Sequence, residues 1–244
     1  MKMKSIALAV IATASFAAPA DAAVYLISYQ GVILSGNDAT NAFGVGIGSL
    51  AGLSYQADYL FDDSIPGLSY SSNGSSIVTV SGGSIRGNTS PFLTATLTIN
   101  GVSTIFSSLQ EGLLEQRNNH FGVDSVRHQA SYFFDNSSQN FSSFLYNQFQ
   151  GTSNIVDSIN LTDNLFYTQQ PGVNSNGTAA ILSIDKTTNT IMINAQANLR
   201  PTSVRISAVS AVPEPASWAM FISGFGMIGG GMRYRKRRST ISFA

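Results

Sequence analysis

The sequence contains no cysteine among its 244 residues. This absence excludes disulfide bonds, thiolate metal sites and a cysteine nucleophile. Only two histidines are present, so a histidine-dependent catalytic triad would have to use His120 or His128. The Gly-x-Ser-x-Gly and His-Glu-x-x-His signatures of common hydrolases are also missing. We therefore expect no catalytic residue and no cofactor.

Charged residues are scarce, at 11% of the chain, and their formal net charge is zero. The balance hides an uneven distribution, because residues 23–212 contain eleven acids and six bases, a net charge of −5. Binding of nucleic acid requires a basic face that neutralises phosphates. The acidic central part of the chain therefore argues against a nucleic-acid partner.

Long apolar runs occur only near the two ends. Lys2 and Lys4 precede the apolar run Ile6–Ala18, and Ala20-Asp21-Ala22 then offers small residues at the positions that a signal peptidase reads. A membrane-spanning helix is the alternative, but the run is shorter than the ~20 residues that a bilayer needs. We predict a signal peptide at residues 1–22, translocation by Sec, and cleavage before Ala23.

The second apolar run, residues 216–232, is uncharged and lies at the lower limit of length for spanning a bilayer. Trp218 is near its start, where an indole favours the membrane interface. Five cations follow the run and resist translocation: Arg233, Arg235, Lys236, Arg237 and Arg238. This pattern predicts one transmembrane helix in the inner membrane, with the preceding chain outside and residues 239–244 in the cytoplasm.

Pro213-Glu214-Pro215, Trp218, the apolar run and the basic cluster occur in the order that is typical of one sorting signal. Together, residues 213–238 resemble the PEP-CTERM sorting domain, in the variant that has tryptophan soon after the tripeptide. The resemblance implies recognition by an exosortase, a multi-pass transpeptidase-like membrane enzyme, with cleavage near the tripeptide. Two prolines also favour an extended segment that a protease groove can accept. A plain membrane anchor with an incidental Pro-Glu-Pro is the alternative.

Alternating apolar residues predict β-strands between the two ends. Residues 93–99 alternate with threonines and stop at Asn100-Gly101, a favoured hairpin turn, after which Val102–Phe106 returns. A second hairpin joins residues 181–184 to residues 191–199 across a polar link. We expect Pro201 to interrupt this strand before residues 204–208 resume the alternation.

The remaining pattern favours an all-β protein. Further strands are expected at residues 24–29, 55–61, 77–81 and 127–134, and one short amphipathic helix is expected over residues 141–149. Many short strands with Gly, Asn and Ser turns indicate an antiparallel β-sandwich. We assign it to residues 23–207, with a linker at residues 208–212.

Three polar groupings could hold a ligand. His120, Asp124 and His128 would align as metal ligands on a helix, but the surrounding β-type pattern makes two surface histidines the better interpretation. Asp58, Asp62 and Asp63 could bind calcium, although they are better explained as exposed turn acids. Residues 46–51 fit a dinucleotide fingerprint formally, yet turn glycines are the simpler explanation. We therefore expect no metal site.

These observations lead to three functional hypotheses. The first is a non-enzymatic exported protein that an exosortase-like enzyme processes and that stays at the cell surface or in an exopolysaccharide or biofilm matrix. A carbohydrate-binding module with aromatic side chains on the sandwich is the second. The third is a hydrolase with an unfamiliar site.

Overall fold

The computed structural model describes residues 24–65, 69–73, 76–84, 87, 89–106 and 111–209. This part of the chain contains thirteen β-strands and no α-helix. The strands are β1 (Val24–Asp38), β2 (Gly48–Ser49), β3 (Ser54–Asp62), β4 (Ser69–Asn73), β5 (Ile77–Gly82), β6 (Phe92–Ile99), β7 (Val102–Phe106), β8 (Glu111–His120), β9 (Val123–Asp135), β10 (Gln139–Gly151), β11 (Leu165–Thr168), β12 (Asn174–Asp185) and β13 (Thr190–Val209).

All the strands belong to one sheet in which every described pairing is antiparallel. Its main path runs β4-β5-β8-β9-β10-β12-β13-β1-β3-β6-β7, while β2 pairs with β1 and β11 pairs with β13. The expected all-β, antiparallel class is therefore confirmed.

The sheet folds over on itself. Tyr29 of β1 contacts His128 of β9, and Tyr55 of β3 contacts Asn147 of β10, although these strands are not neighbours in the sheet. We call β1, β3 and β6 the first layer, and β8, β9 and β10 the second layer. The arrangement resembles a β-sandwich, but its two layers are parts of one continuous sheet.

The hairpin predicted from residues 93–106 is present as β6 and β7. Ile99 pairs with Val102 across the turn. Asn100 and Gly101 have φ angles of 49° and 82°, as a two-residue type I′ turn requires. Leu97 and Ile99 are buried, so the alternating residues form one apolar side of the strand.

The second predicted hairpin is present as β12 and β13, but Pro201 does not interrupt β13. β12 pairs with β13 as far as Leu199, and β11 pairs with β13 from Ser203 onward. Pro201 lies between these two ladders, so its missing N–H removes no hydrogen bond on that side. On the other side it lies opposite Gly31, beside a register shift in β1.

The prediction of a short helix over residues 141–149 is wrong, because this segment belongs to β10. Ser143, Leu145, Asn147 and Phe149 are buried and alternate with partly exposed residues, which is the period of a strand. The aromatic residues had suggested a helical spacing. Pairing with β9 on one side and β12 on the other determines the observed structure.

The folded part extends slightly beyond its expected end. Ala208 and Val209, assigned to the linker, are the last residues of β13 and pair with Tyr25 and Val24. The first and last described residues are thus direct partners across the β1–β13 ladder. The rest of the expected linker lies outside the described residues, as do the segments predicted to be a signal peptide, a transmembrane helix and a cytoplasmic tail.

Candidate functional site

A buried polar network joins the two layers. Tyr29 Oη lies 2.7 Å from His128 Nδ1, Tyr55 Oη donates to Asn147 Oδ1 over 2.9 Å, and Asn147 Nδ2 donates to Tyr59 Oη over 3.0 Å. Hydrogen bonding compensates the cost of burying these polar groups. The network therefore fixes how the first layer lies on the second.

Burial also keeps the network uncharged at neutral pH. It lowers the pKa of His128 to about 3, with a further contribution from Arg127. Burial likewise raises the pKa of Tyr29 and of Tyr59 well above the usual value. His128, Tyr29 and Tyr59 are each 0% exposed, so a ligand in solvent does not reach them. We interpret the network as a structural element of the core.

The structure corrects the expectation of two surface histidines, because His128 is fully buried. His120 is partly exposed and lies 3.1 Å from Ser76 Oγ through its Nδ1 atom. Asp124 accepts hydrogen bonds from the backbone nitrogens of Asn119 and Ile155. The three residues that were considered as possible metal ligands thus serve three separate local structures.

The other sequence candidates are turn and strand residues. Asp58 accepts from Gln56 Nε2 on the same strand, and Asp62 accepts from Ser64. Residues 46–51 form a turn around the short strand β2. Within the described ranges, no group of three or more His, Cys, Asp or Glu residues could hold a metal ion.

A cluster of charges that sequence reasoning missed lies on the second layer, on the side facing away from the core. Glu115 of β8 pairs with Arg127 of β9, and Arg117 is two residues further along β8. Arg117 Nε is 3.0 Å from Glu115 Oε1, while Arg127 Nη2 is 3.6 Å from Glu115 Oε2. One carboxylate thus serves two guanidinium groups. The spacing of Glu115 and Arg117 within a strand was the only local signal.

Aromatic and amide side chains lie in a row along β10, beside this cluster. The rings of Phe144 and Tyr146 are 6.2 Å apart and inclined by 22°. Tyr146 Oη donates to Gln148 Oε1, and Gln148 Nε2 donates to Gln150 Oε1 over 3.0 Å. Gln148 lies directly opposite Arg127. We call six residues of these three strands the outer face: Glu115, Arg117, Arg127, Phe144, Tyr146 and Gln148.

A small cleft of about 290 Å³ lies elsewhere, where β8 approaches the segment before β11. Its walls include Gln116, Val156, Asp157, Asn160, Asp163 and Leu165. The oxygens of Asp163 accept from Ser158 Oγ and Asn160 Nδ2, so this carboxylate serves the loop that carries it. We therefore interpret the cleft as a consequence of how this loop folds, and not as a ligand site.

The sorting residues expected from sequence are beyond the end of β13. The described residues lack all of them: Pro213, Glu214, Pro215, Trp218, Arg233, Arg235, Lys236, Arg237 and Arg238. Only residues 210–212 separate Val209 from Pro213. In the part of the chain that the structure describes, no helix is long and apolar enough to cross a membrane.

Comparison with known proteins identifies the end of the chain. Residues 211–238 match the family model of the PEP-CTERM protein-sorting motif. The described part of this chain is all-β and the end of the chain carries a PEP-CTERM sorting motif, so the resemblance noted in its sequence is confirmed. The motif marks it as an exported protein with a membrane-anchored sorting signal and as a target for an exosortase. No curated protein matches the chain, and no solved structure does.

Proposed function

We propose that this chain is a non-enzymatic exported protein that an exosortase-like transpeptidase cleaves near Pro213-Glu214-Pro215. The processed body then stays at the cell surface or in the extracellular polysaccharide matrix. The match of residues 211–238 to the sorting motif is the observation that carries this proposal.

Each part of the tail has a separate role in the proposal. Pro213, Glu214 and Pro215 form the recognition and processing site, with Trp218 at the membrane interface. Residues 216–232 hold that site at the membrane, and the cations from Arg233 to Arg238 arrest translocation. The N-terminal signal requires Sec and signal peptidase as earlier partners.

The pairing of Val24 with Val209 supports the proposal that the body is cleaved at both of its ends. Residue 23, where signal peptidase is expected to cut, adjoins β1, and the sorting motif follows β13 after residues 210–212. Both expected processing points therefore connect to one end of the folded body. A body held at this end can face away from the membrane during both cleavages.

Replacing Pro213-Glu214-Pro215 by three alanines tests the proposal. Full-length protein is expected to accumulate in the inner membrane, because the processing enzyme no longer recognises it. A blot of membrane and released fractions measures this, with Ser210→Ala as a neighbouring control that is processed normally. Unchanged release of the triple variant would count against exosortase-dependent sorting.

A carbohydrate-binding module is the second candidate function. The paired rings of Phe144 and Tyr146 beside the amide of Gln148 favour it, because aromatic faces and amides are side chains suited to sugar rings and hydroxyls.

A further inference from the structure

The outer face has a positive charge that it does not satisfy internally. Among the described residues, Glu115 is the carboxylate that pairs with both Arg117 and Arg127, and its side chain is 8% exposed. Arg127 Nε is buried and has no hydrogen-bond partner among the residues that the structure describes. The three charges sum to +1 within a body of net charge −5. An anion is the ligand that complements this excess.

Stacking and amide groups lie within reach of those guanidinium groups. Tyr146 is two residues from Gln148 on β10, and Gln148 is opposite Arg127. Tyr146 Oη also donates to Gln148 Oε1, so an aromatic ring, an amide and a guanidinium group are neighbours on this surface. Phe144 extends the aromatic surface by a further two residues.

The surface of the sheet around the outer face is also broad. The row that contains Glu115, Arg127 and Gln148 continues to Thr79 of β5 and Asn176 of β12. Five neighbouring strands cover roughly 19 Å from the first to the last. A surface of this width can contact several units of a polymer, whereas a small molecule would use only part of it.

We propose that the outer face binds an acidic polysaccharide, with a uronate carboxylate on Arg127 and Arg117 and a sugar ring against Tyr146. Charge complementarity selects the anion, and the aromatic and amide side chains select a sugar polymer over a simple salt. The inference rests on the export part of the proposed function, because such polymers are ligands that an exported protein meets. It does not depend on cleavage near Pro213.

The first test measures binding to alginate and to neutral dextran in a zwitterionic detergent. It uses the full-length protein with its five tail cations replaced by glutamine, because the unaltered basic tail would itself attract a polyanion. We expect binding to alginate only, and we expect it to weaken as salt is added, because the excess charge is on the surface. Equal binding to both polymers, or binding that salt leaves unchanged, would overturn the proposal. The assay uses purified protein, so it succeeds or fails independently of sorting in cells.

Substitutions then locate the site. Arg127→Gln and Tyr146→Ala are each expected to weaken alginate binding about 10-fold, because each removes one of the two principal contacts. Arg200→Gln removes an exposed cation on β13 and Phe166→Ala an exposed ring on β11, so both controls are expected to bind like the wild type. Losses of the same size in the controls would overturn the assignment.

Glu115→Gln is expected to strengthen binding, a result that loss of folding could not produce. The substitution removes the anion that competes for both guanidinium groups, so alginate binding is expected to strengthen about threefold or more. If Arg127→Gln loses its near-ultraviolet circular dichroism, Arg117→Gln replaces it, because Arg117 is the other guanidinium group that pairs with Glu115. Unchanged alginate affinity in Glu115→Gln and in the folded arginine variant would contradict the proposal.

Discussion

At the scale of single residues, His128 has the most unusual environment among the described side chains that titrate near neutral pH. It lies between Tyr29, Tyr59 and Phe92, with ring centroids 5.6, 5.9 and 6.5 Å away. Its Nδ1 atom lies within hydrogen-bond distance of Tyr29 Oη, while its Nε2 atom is buried and has no partner in the described part of the chain. A charged imidazole in this position would lack solvation, so the folded protein holds His128 neutral.

We predict that acid destabilises the protein through His128. Its pKa is about 3 when folded and near 6.5 when unfolded, so the unfolded chain binds more protons between these values. The free energy of unfolding should fall by up to about 1.4 kcal/mol for each pH unit below about 6.5. Thermal unfolding of the full-length protein in detergent, followed from pH 7.5 to 5, measures the slope.

The two histidines provide the control for this pH dependence. His128→Gln should flatten the slope between pH 7.5 and 5, because the titrating group is gone. His120→Asn is the matched control, because it removes the other histidine and leaves the buried network of His128 intact, so the slope due to His128 should remain. A slope that persists in His128→Gln would assign the acid sensitivity to another group.

The burial of His128 could not be predicted from sequence, because its hydrogen-bond partner Tyr29 is 99 positions away. The immediate neighbours of His128 in the sequence, Arg127 and Gln129, are both polar, whereas His120 is next to Phe121. Glu115, Arg117 and Arg127 pose the same difficulty, because the pairing of β8 with β9 brings them together. The sorting motif differs, since all of its residues are consecutive.

At the scale of elements, β1 and β13 determine the shape of the sheet. They pair from Val24 opposite Val209 to Asp38 opposite Ala195, and two register shifts interrupt the ladder. At the first shift Gly31 lies against β13. A Cβ atom at Gly31 would lie 2.9 Å from Pro201 Cα and closer still to Arg200 O. Only glycine therefore fits this crossing without movement of the backbone.

We predict that Gly31→Ala destabilises the protein by at least about 2 kcal/mol, since backbone atoms must move to admit the methyl group. For a chain of this size, the midpoint of thermal unfolding should fall by roughly 4–8 °C. Leu34→Ala on the same strand is the control, because that side chain is 54% exposed and should change stability little. An unchanged midpoint for Gly31→Ala would show that the ladder relaxes freely.

Sequence reasoning succeeded for elements whose signals are local. The β6–β7 hairpin was predictable because alternation and Asn100-Gly101 are adjacent in the chain. β10 was mistaken for a helix because its aromatic residues occur on both faces of the strand. The continuous sheet was not predictable either, because its closure depends on pairing the first strand with the last.

At the scale of the whole molecule, the fold places both ends of the body together. Val24 and Val209 are partners, so the chain enters and leaves the sheet at one point. β13 also pairs with β1, β11 and β12, and the sheet cannot be complete before residue 209 has been exported. The sorting motif begins immediately afterwards, at residue 211. The last residue of the sheet and the first residue of the sorting motif are therefore exported almost together.

The mass of the C-terminal peptide of the exported protein tests the central claim most directly. Tryptic digestion of the surface or released fraction, followed by mass spectrometry, is expected to give a peptide that begins after Arg205 and ends near Pro213-Glu214-Pro215. Residues 216–244 should be missing from this fraction and present only in the membrane precursor. Recovery of the exported protein with its apolar run and its basic cluster still attached would contradict the account.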